Sequence, residues 1–190
     1  STCFQMAGHL KARRNLSVIV NSARLTLELD GPGCHVIVLG GQYRPDRMDT
    51  VGPLATATLQ QLRGYVAFIG CDGMSREFGL AANDLESAHL YGLAVANARK
   101  AVLLADHTKF LAPSLFKIVN LEAISTVVTD RPPQDDWRTF FDERGIEIIC
   151  PAPEASGVSD ETTRNRESTP RQATAQRYGA PSCRRMSWST

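Results

Sequence analysis

Short apolar runs, rich in β-branched residues, recur along this sequence, and most of them stop at glycine or at small polar residues. Runs of this length are long enough for a buried strand and too short for a typical helix. The runs lie at 16–20, 36–39, 66–69, 101–105, 124–128 and 146–149. Segments with the apolar spacing of amphipathic helices separate most of them. This alternation predicts an α/β fold with a mostly parallel sheet flanked by helices.

Several of the helical segments have recognisable ends. Asp84 is suited to the N-cap of a helix over 85–100, because its carboxylate can accept hydrogen bonds from the first free amides. Pro53 suits a first helical turn, and Gly145 is suited to end the helix that carries Trp137. Further helices are predicted at 3–10 and 25–29. The segments predicted to be loops are 42–49, 75–82 and 106–119.

The composition limits the functions open to the chain. With 21 basic and 20 acidic residues, the net charge of +1 gives no long-range attraction to nucleic acid or to an anionic membrane. The 5 cysteines are scattered and the 4 histidines lack ligand spacing, so we expect reduced thiols, no metal and no cofactor. No apolar run approaches the roughly 20 residues of a membrane helix. We therefore expect a soluble cytoplasmic protein without a membrane partner.

The strand and helix pattern stops after Pro153. Residues 154–190 are rich in Ser, Thr, Arg, Pro and Gln and poor in large apolar side chains. Such a segment cannot bury enough surface to offset the entropy lost on ordering. The sequence therefore predicts one folded domain over 1–153 and a disordered tail over 154–190.

Two loops at predicted strand ends carry polar groups. Gly70, Asp72 and Gly73 follow the run at 66–69, and Asp106, Thr108 and Lys109 follow the run at 101–105. In open α/β sheets, ligands bind at the carboxyl ends of strands. Carboxylates, a hydroxyl and one ammonium suit a polar, phosphorylated small molecule. The alternative is a turn-capping aspartate and a solvated lysine, and spacing alone leaves both interpretations open.

Three further places offer groups of the same kind. Ser1 and Thr2 start a predicted helix, where hydroxyls either bind a phosphate or simply cap the helix. Asn21 and Ser22 are small polar residues at another strand tip. A Gly40-Gly41 pair lets backbone amides approach a ligand closely. We expect all of these to be ligand-binding candidates.

The familiar nucleotide and hydrolase motifs do not occur. The glycine pair is not followed by G-x-G-x-x-G, and no G-x-x-x-x-G-K-[ST] exists. A G-x-S-x-G nucleophile elbow starting at Gly73 fails because Glu77 stands where the last glycine is needed. Classical dinucleotide binding, P-loop chemistry and serine hydrolysis are therefore poorly supported.

Several motifs together resemble the C-terminal sensor domain of DeoR-family bacterial transcriptional regulators. They occur in the family's order and cover Ser1 to about Ile149, with Ser1-Thr2 resembling the end of an Asp-x-Gly-Ser/Thr-Thr phosphate turn. The motifs are Asn21-Ser22, Leu39–Pro45, Val51–Pro53, Phe68–Met74, Gly79-Leu80, Glu86, Ala105–Phe110 and Thr129-Asp130.

The resemblance implies a sugar-phosphate sensor related in fold to ribose-5-phosphate isomerase, glucosamine-6-phosphate deaminase and the CoA-transferases. It implies that Ser1, Thr2 and Lys109 hold the phosphate. The sugar would face Asn21, Gly40, Gly41 and Asp72, while Asp106 would shape the lysine loop.

The same resemblance implies partners. An N-terminal winged helix-turn-helix would bind operator DNA, a further strand would precede Ser1, and the effector would usually relieve repression. Dimers or tetramers are expected. The sequence departs from the family at Leu90 and Tyr91, where a Lys-Arg pair is common, so a second basic contact is not expected there.

Two other hypotheses stay open. The first is a sugar-phosphate isomerase or deaminase that uses Asp72 as its base, with Glu86 as a weak second group. The second is a fragment without function, which would expose an unpaired sheet edge.

Overall fold

Strands and helices alternate through residues 2–110 and 114–151, which are the residues that this computed structural model describes. The strands are β1 Leu16–Val20, β2 Cys34–Val38, β3 Gln42–Arg44, β4 Asp49–Val51, β5 Val66–Ile69, β6 Gly73–Ser75, β7 Gly79–Ala82, β8 Lys100–Leu104, β9 Phe116–Val119, β10 Thr126–Val128 and β11 Glu147–Ile149. The α-helices are α1 Ala7–Lys11, α2 Ala23–Glu28, α3 Pro53–Gln60, α4 Leu85–Asn97 and α5 Asp135–Glu143. Short 3₁₀ helices span Thr2–Met6, His107–Phe110 and Leu121–Ala123.

The largest sheet is parallel and has the strand order β11-β10-β8-β5. Its central strand β8 is apolar and buried from Ala101 to Leu104, as expected for a parallel strand covered on both faces. The main core cluster joins this sheet to α4 and α5. The predicted α/β class, with a parallel sheet flanked by helices, is confirmed.

A second parallel pair consists of β1 and β2, with Leu16 opposite Cys34. Helices α1 and α2 cover it through a small core of Ala7, Val20, Leu25 and Leu29. Ser22 begins α2 because its hydroxyl accepts a hydrogen bond from the Leu25 amide at 3.2 Å.

The polar segment 42–49, predicted to be a loop, instead forms most of the antiparallel hairpin β3–β4. Its cross-strand pair is ionic. Arg44 donates from Nε and Nη2 to the two carboxylate oxygens of Asp49, both at 2.8 Å. Such a bidentate pair gives geometric specificity that isolated polar residues lack, and it holds two short polar strands in register.

The predicted loops 75–82 and 106–119 were also wrong in part. Strands β6, β7 and β9 form an antiparallel sheet, and every residue of β7 is buried. Gly79 has φ of +90°, and a β-carbon there would lie 2.2 Å from the Val119 oxygen, so only glycine fits. The segment after β8 contains a 3₁₀ helix before β9 begins at Phe116.

The predicted helix ends near Asp84 and Gly145 are confirmed. The Asp84 carboxylate accepts a hydrogen bond from the Ser87 amide at 2.8 Å, and Gly145 has φ of +65° just after α5. Helix α4 stops at Asn97, earlier than the predicted 100, because Lys100 already pairs with Val66 in the sheet.

Aromatic packing joins α5 to the segment after β8. Phe110 makes edge-to-face contacts with Trp137 and Phe141, at ring-centroid distances of 5.3 and 6.3 Å. Phe110 directly follows the candidate residue Lys109, so this cluster anchors a loop that sequence analysis selected for function.

The described residues belong to one of two units into which the chain divides, residues 1–154. The predicted tail over 154–190 lies outside the described residues and stays a prediction. None of the described helices combines the length and the apolar character needed to span a membrane.

Candidate functional site

Two of the predicted ligand loops lie side by side because β5 and β8 are adjacent and parallel. Gly70 shows how close the neighbouring segments come. A β-carbon at this residue would lie 3.9 Å from the Leu104 oxygen and 3.6 Å from Cys3 Sγ. The start of the chain, with Cys3 and the preceding Thr2, therefore reaches the same edge of the sheet. Ser1 lies outside the described residues.

Asp72 is held in place by backbone contacts. Its Oδ2 accepts a hydrogen bond from the Asn83 amide at 2.8 Å, and its own amide donates to the Ala81 oxygen at 2.9 Å. Arg47 Nη2 lies 3.5 Å from the same Oδ2. The aspartate thus fixes the chain turn through its amide and its Oδ2 oxygen. Gly73 is buried in β6, so it supports this turn from within a strand.

Asp106 shapes the loop after β8. Its Oδ1 accepts hydrogen bonds from the Thr108 hydroxyl and, at 3.0 Å, from the Thr108 amide. The Thr108 hydroxyl contact is the main cause that lowers the pKa of Asp106 below its usual range, so the carboxylate stays ionised at neutral pH. The Lys109 amide donates to the Asp106 oxygen at 3.1 Å, which closes the turn.

The positive charge of the Lys109 ammonium affects a thiol of the neighbouring loop. Burial raises the pKa of the Cys71 thiol to about 12, and the positive charge of Lys109 opposes that rise. The ammonium is therefore near Cys71, at the end of β5. No ion pair joins Lys109 to another residue in the part of the chain that the structure describes.

Asp130, just beyond β10, is a second anchor of the lysine loop that sequence analysis gave no role. Its carboxylate accepts a hydrogen bond from the His107 amide at 2.7 Å and contacts His107 Nδ1 at 2.8 Å. Burial works against ionisation of Asp130, but the contacts with His107 outweigh it and lower its pKa. Its place directly after a strand was the signal that could have identified it.

The remaining predicted residues are bound to the hairpin. Asn21 Nδ2 donates to the Thr50 oxygen at 3.2 Å, and the Thr50 amide donates to the Asn21 oxygen at 2.8 Å. Gly41 has φ of +128°, and a β-carbon there would lie 2.4 Å from the Val51 oxygen. Gly40 has open space where a side chain would be. The Ser22 hydroxyl caps α2.

A network of ions joins the hairpin to the aspartate loop. Arg44, besides its pair with Asp49, donates to Asp84 Oδ1 at 2.8 Å and to the Ser87 hydroxyl at 2.9 Å. Arg47 contacts both Asp84 and Asp72. Neither arginine was predicted to belong to the site, because their partners on the aspartate loop and at the start of α4 lie 25 to 43 residues away along the chain.

Two surface cavities of the described region lie elsewhere. One, of about 290 Å³, is lined by Lys100, Ser125 and Arg144 at the amino ends of the parallel strands. The other, of about 650 Å³, runs along α5 and β11. Neither cavity is lined by a predicted ligand residue. Among the described residues, no group of three or more His, Cys, Asp or Glu is placed to hold a metal.

The loops thus gather a lysine that forms no ion pair among the described residues, a fixed aspartate and glycine turns at one edge of an α/β sheet. The sequence profile of the DeoR C terminal sensor domain matches residues 1–131, well over half of the chain. The chain belongs to the DeoR sensor-domain family. The predicted resemblance is therefore confirmed, and β1 to β10 of this DeoR sensor domain lie within the matched residues.

Curated relatives of this chain are named as HTH-type transcriptional regulators or repressors. An HTH-type transcriptional regulator, GlpR, of Haloferax volcanii is 27% identical over 78% of this chain and 58% of its own length. The HTH-type transcriptional repressor CsqR of Escherichia coli is 28% identical over 82% of this chain and 60% of its own. The HTH-type transcriptional repressor GlcR of Bacillus subtilis is 28% identical over 75% of this chain and 55% of its own length. The DeoR sensor domain thus spans somewhat more than half the length of these relatives.

Proposed function

We propose that this chain is the effector-binding part of a DeoR-type transcriptional regulator of sugar metabolism. The match to the DeoR sensor domain supports the proposal, as do relatives named as HTH-type regulators and repressors. The whole regulator would add an N-terminal winged helix that binds operator DNA. The full protein would act as a dimer or tetramer, as symmetric regulators commonly do.

The effector we propose is a phosphorylated sugar, and the unpaired ammonium of Lys109 is the observation that carries this proposal. A lysine that forms no ion pair among the described residues, beside a loop at the carboxyl end of a parallel strand, suits a phosphate group. Thr2, in the segment that reaches the same edge, would add a second phosphate contact. Asp72 would accept hydrogen bonds from sugar hydroxyls.

A further strand would complete this site. Among the described residues β5 pairs on one side only, with β8, and Val66 and Phe68 are exposed on one face of it. An unpaired edge of this kind is a ready template for another strand. We propose that a strand entering Thr2 pairs with β5 and places the phosphate-binding turn opposite Lys109.

The mechanism would be thermodynamic linkage. A ligand that prefers one state of the regulator shifts operator affinity by the ratio of its affinities for the two states, and typical couplings are about 1–3 kcal/mol. The sugar phosphate would therefore weaken operator binding by roughly 5- to 150-fold.

Calorimetric titration of the full-length regulator with a panel of sugar phosphates tests this function. We expect one class of sugar phosphate to bind, and Lys109→Gln to weaken it about tenfold or more, because a charge-assisted contact is lost. Lys117→Gln is the matched control, since Lys117 lies on β9 and faces the Phe78 ring. Failure of every sugar phosphate to bind, with operator affinity unchanged, would contradict the proposal.

We also propose that the chain is not an enzyme. One carboxylate oxygen of Asp72 already accepts a hydrogen bond from the Asn83 amide and contacts Arg47. Glu86, the second group considered from sequence, lies near Gly52. This geometry gives Asp72 no acid or base partner among the described residues. Turnover of a ketose or aldose phosphate that Asp72→Asn abolishes would favour the isomerase alternative.

A further inference from the structure

The two arginines of the hairpin differ in how far their charges are already used. Arg44 makes four hydrogen bonds, to Asp49, Asp84 and Ser87, and its side chain is 15% exposed. Arg47 contacts Asp84 and reaches Asp72 only at 3.5 Å, with 32% of its side chain exposed. Arg44 is therefore a structural cation, whereas the guanidinium of Arg47 has donors left for a ligand.

Arg47 is held at this place by its backbone. The next residue, Met48, has φ of +53°, which bends the hairpin turn, and its oxygen accepts a hydrogen bond from the Ala23 amide at 2.8 Å. This contact ties the turn to the start of α2, directly after Asn21 and Ser22. Arg47 thus links the strand-end residues of β1 to the Asp72 loop.

Tyr91 brings a second donor to the same region. Asp84, Ser87 and Tyr91 have the 3- and 4-residue spacing of one helix face, so Tyr91 lies one turn beyond the Arg44 contacts. Burial raises the pKa of its phenol, with Asp49 adding to the rise and Arg47 and Arg44 opposing it. The hydroxyl therefore stays protonated at neutral pH. Cys3, at the sheet edge, also raises the pKa of the Tyr91 phenol.

We propose that Arg47 and Tyr91 form a second contact region of the effector site, which binds hydroxyl groups of the sugar while Lys109 binds its phosphate. Sugar hydroxyls can accept hydrogen bonds from both the guanidinium and the phenol, and the carboxylate of Asp72, 3.5 Å from Arg47, can accept hydrogen bonds from them in return. This inference rests on the proposed sugar-phosphate function and deepens it. Different residues would therefore recognise the sugar and the phosphate.

Inorganic phosphate and sugar phosphates are the probes that test this separation, in calorimetric titrations of the full-length regulator. Arg47→Gln should weaken the tightest-binding hexose phosphate about tenfold and change inorganic phosphate binding less than about twofold. Tyr91→Phe, which loses a neutral donor, should weaken the hexose phosphate about 3- to 10-fold. Lys109→Gln should weaken both probes.

The controls keep the test independent of folding. Arg138→Gln removes an arginine whose side chain is 60% exposed and pairs with Asp135 on α5, and it should change neither affinity. Arg47→Lys keeps the charge and loses the planar fork, so it should restore only part of the hexose phosphate affinity. Each variant is titrated only at temperatures at which its thermal unfolding curve shows that it is folded.

Three outcomes would overturn the inference. If Arg47→Gln weakens both probes equally, Arg47 acts through general charge and not through the sugar. If it weakens neither while Lys109→Gln weakens both, the proposed function stands and Arg47 has no part in it. If no sugar phosphate binds the unmodified regulator, the proposed function and this inference fail together.

Discussion

The lysine loop after β8 and the hairpin β3–β4 both reach the region of Asp72, but different forces hold them. Phe110 anchors the lysine loop in a cluster with Trp137 and Phe141. Arg44 anchors the hairpin through carboxylates and a hydroxyl. Apolar burial is insensitive to ionisation, whereas ion pairs weaken when a partner is neutralised or another charge competes.

The difference indicates which side of the site can respond to a ligand. The aromatic anchor holds the loop that carries Lys109, the lysine proposed to bind phosphate, without depending on any charge. The ionic anchor on the hairpin can exchange partners when an oxygen-rich ligand arrives, since Asp72 and Asp84 share Arg47. We expect the lysine loop to bind the effector and the hairpin to change its ion-pair partners in response.

The largest expected effect tests the apolar anchor. Phe141 has no exposed surface, so Phe141→Ala should lower the free energy of unfolding by about 3–5 kcal/mol. Urea denaturation would measure the loss. Phe78→Ala is the control, because that ring is 38% exposed and its removal should cost far less. Equal losses for the two variants would show that the cluster is not the anchor.

The next effect separates the two arginines. Arg44→Gln leaves the carboxylate of Asp49 buried without its bidentate partner and should cost about 3 kcal/mol. Arg47→Gln removes a more exposed ion pair and should cost about 1 kcal/mol or less. The same denaturation experiment ranks them. A reversed order would assign the structural role to Arg47 and contradict the comparison.

The smallest effect is the response of the hairpin to acid. Burial opposes ionisation of Asp84, but hydrogen bonds from Ser87 and Arg44 outweigh it and lower the pKa below the ordinary 3.8. The stability from this lowered pKa is therefore complete above the ordinary pKa and is lost as the pH falls through the folded-state value. Thermal unfolding between pH 6 and about pH 2 should show this loss.

Asp84→Asn isolates the contribution of the hairpin to that curve. Asparagine still caps a helix but cannot ionise, so the variant should be less stable at neutral pH and should lose less stability in acid. The pKa values of Asp106 and Asp130 are also lowered, so the lysine loop should lose stability in acid in both the unmodified protein and the variant. An unchanged acid slope would show that Asp84 does not hold the hairpin through its charge.

The central parallel strand was predictable because burial on both faces favours a continuous apolar run, as in the buried residues 101–104 of β8. The antiparallel strands were not. Strand β7 contains glycine and alanine, which have low strand propensity, and it pairs with β9 more than 30 residues later in the chain. Its structure comes from long-range pairing and burial that no local pattern records.

The site residues likewise divide into those that local sequence predicted and those that depend on long-range contacts. Local order placed Asp72 and Lys109 at strand ends, and adjacent parallel strands then brought their loops together. The contacts of Arg44 and Arg47 with Asp84 depend on the approach of distant segments. Tyr91 was interpreted from sequence as the loss of a basic contact, because its helix position showed nothing of the ions around it.

Gly41 has a consequence for genetics. Its backbone lies so close to Val51 that any side chain would act as a wedge between the glycine turn and β4, and would also press on Ala55 of α3. The wedge would displace the hairpin and both of its arginines together. A screen for full-length variants that no longer respond to the proposed effector should therefore recover substitutions of Gly41, a residue without any side-chain group to offer a ligand.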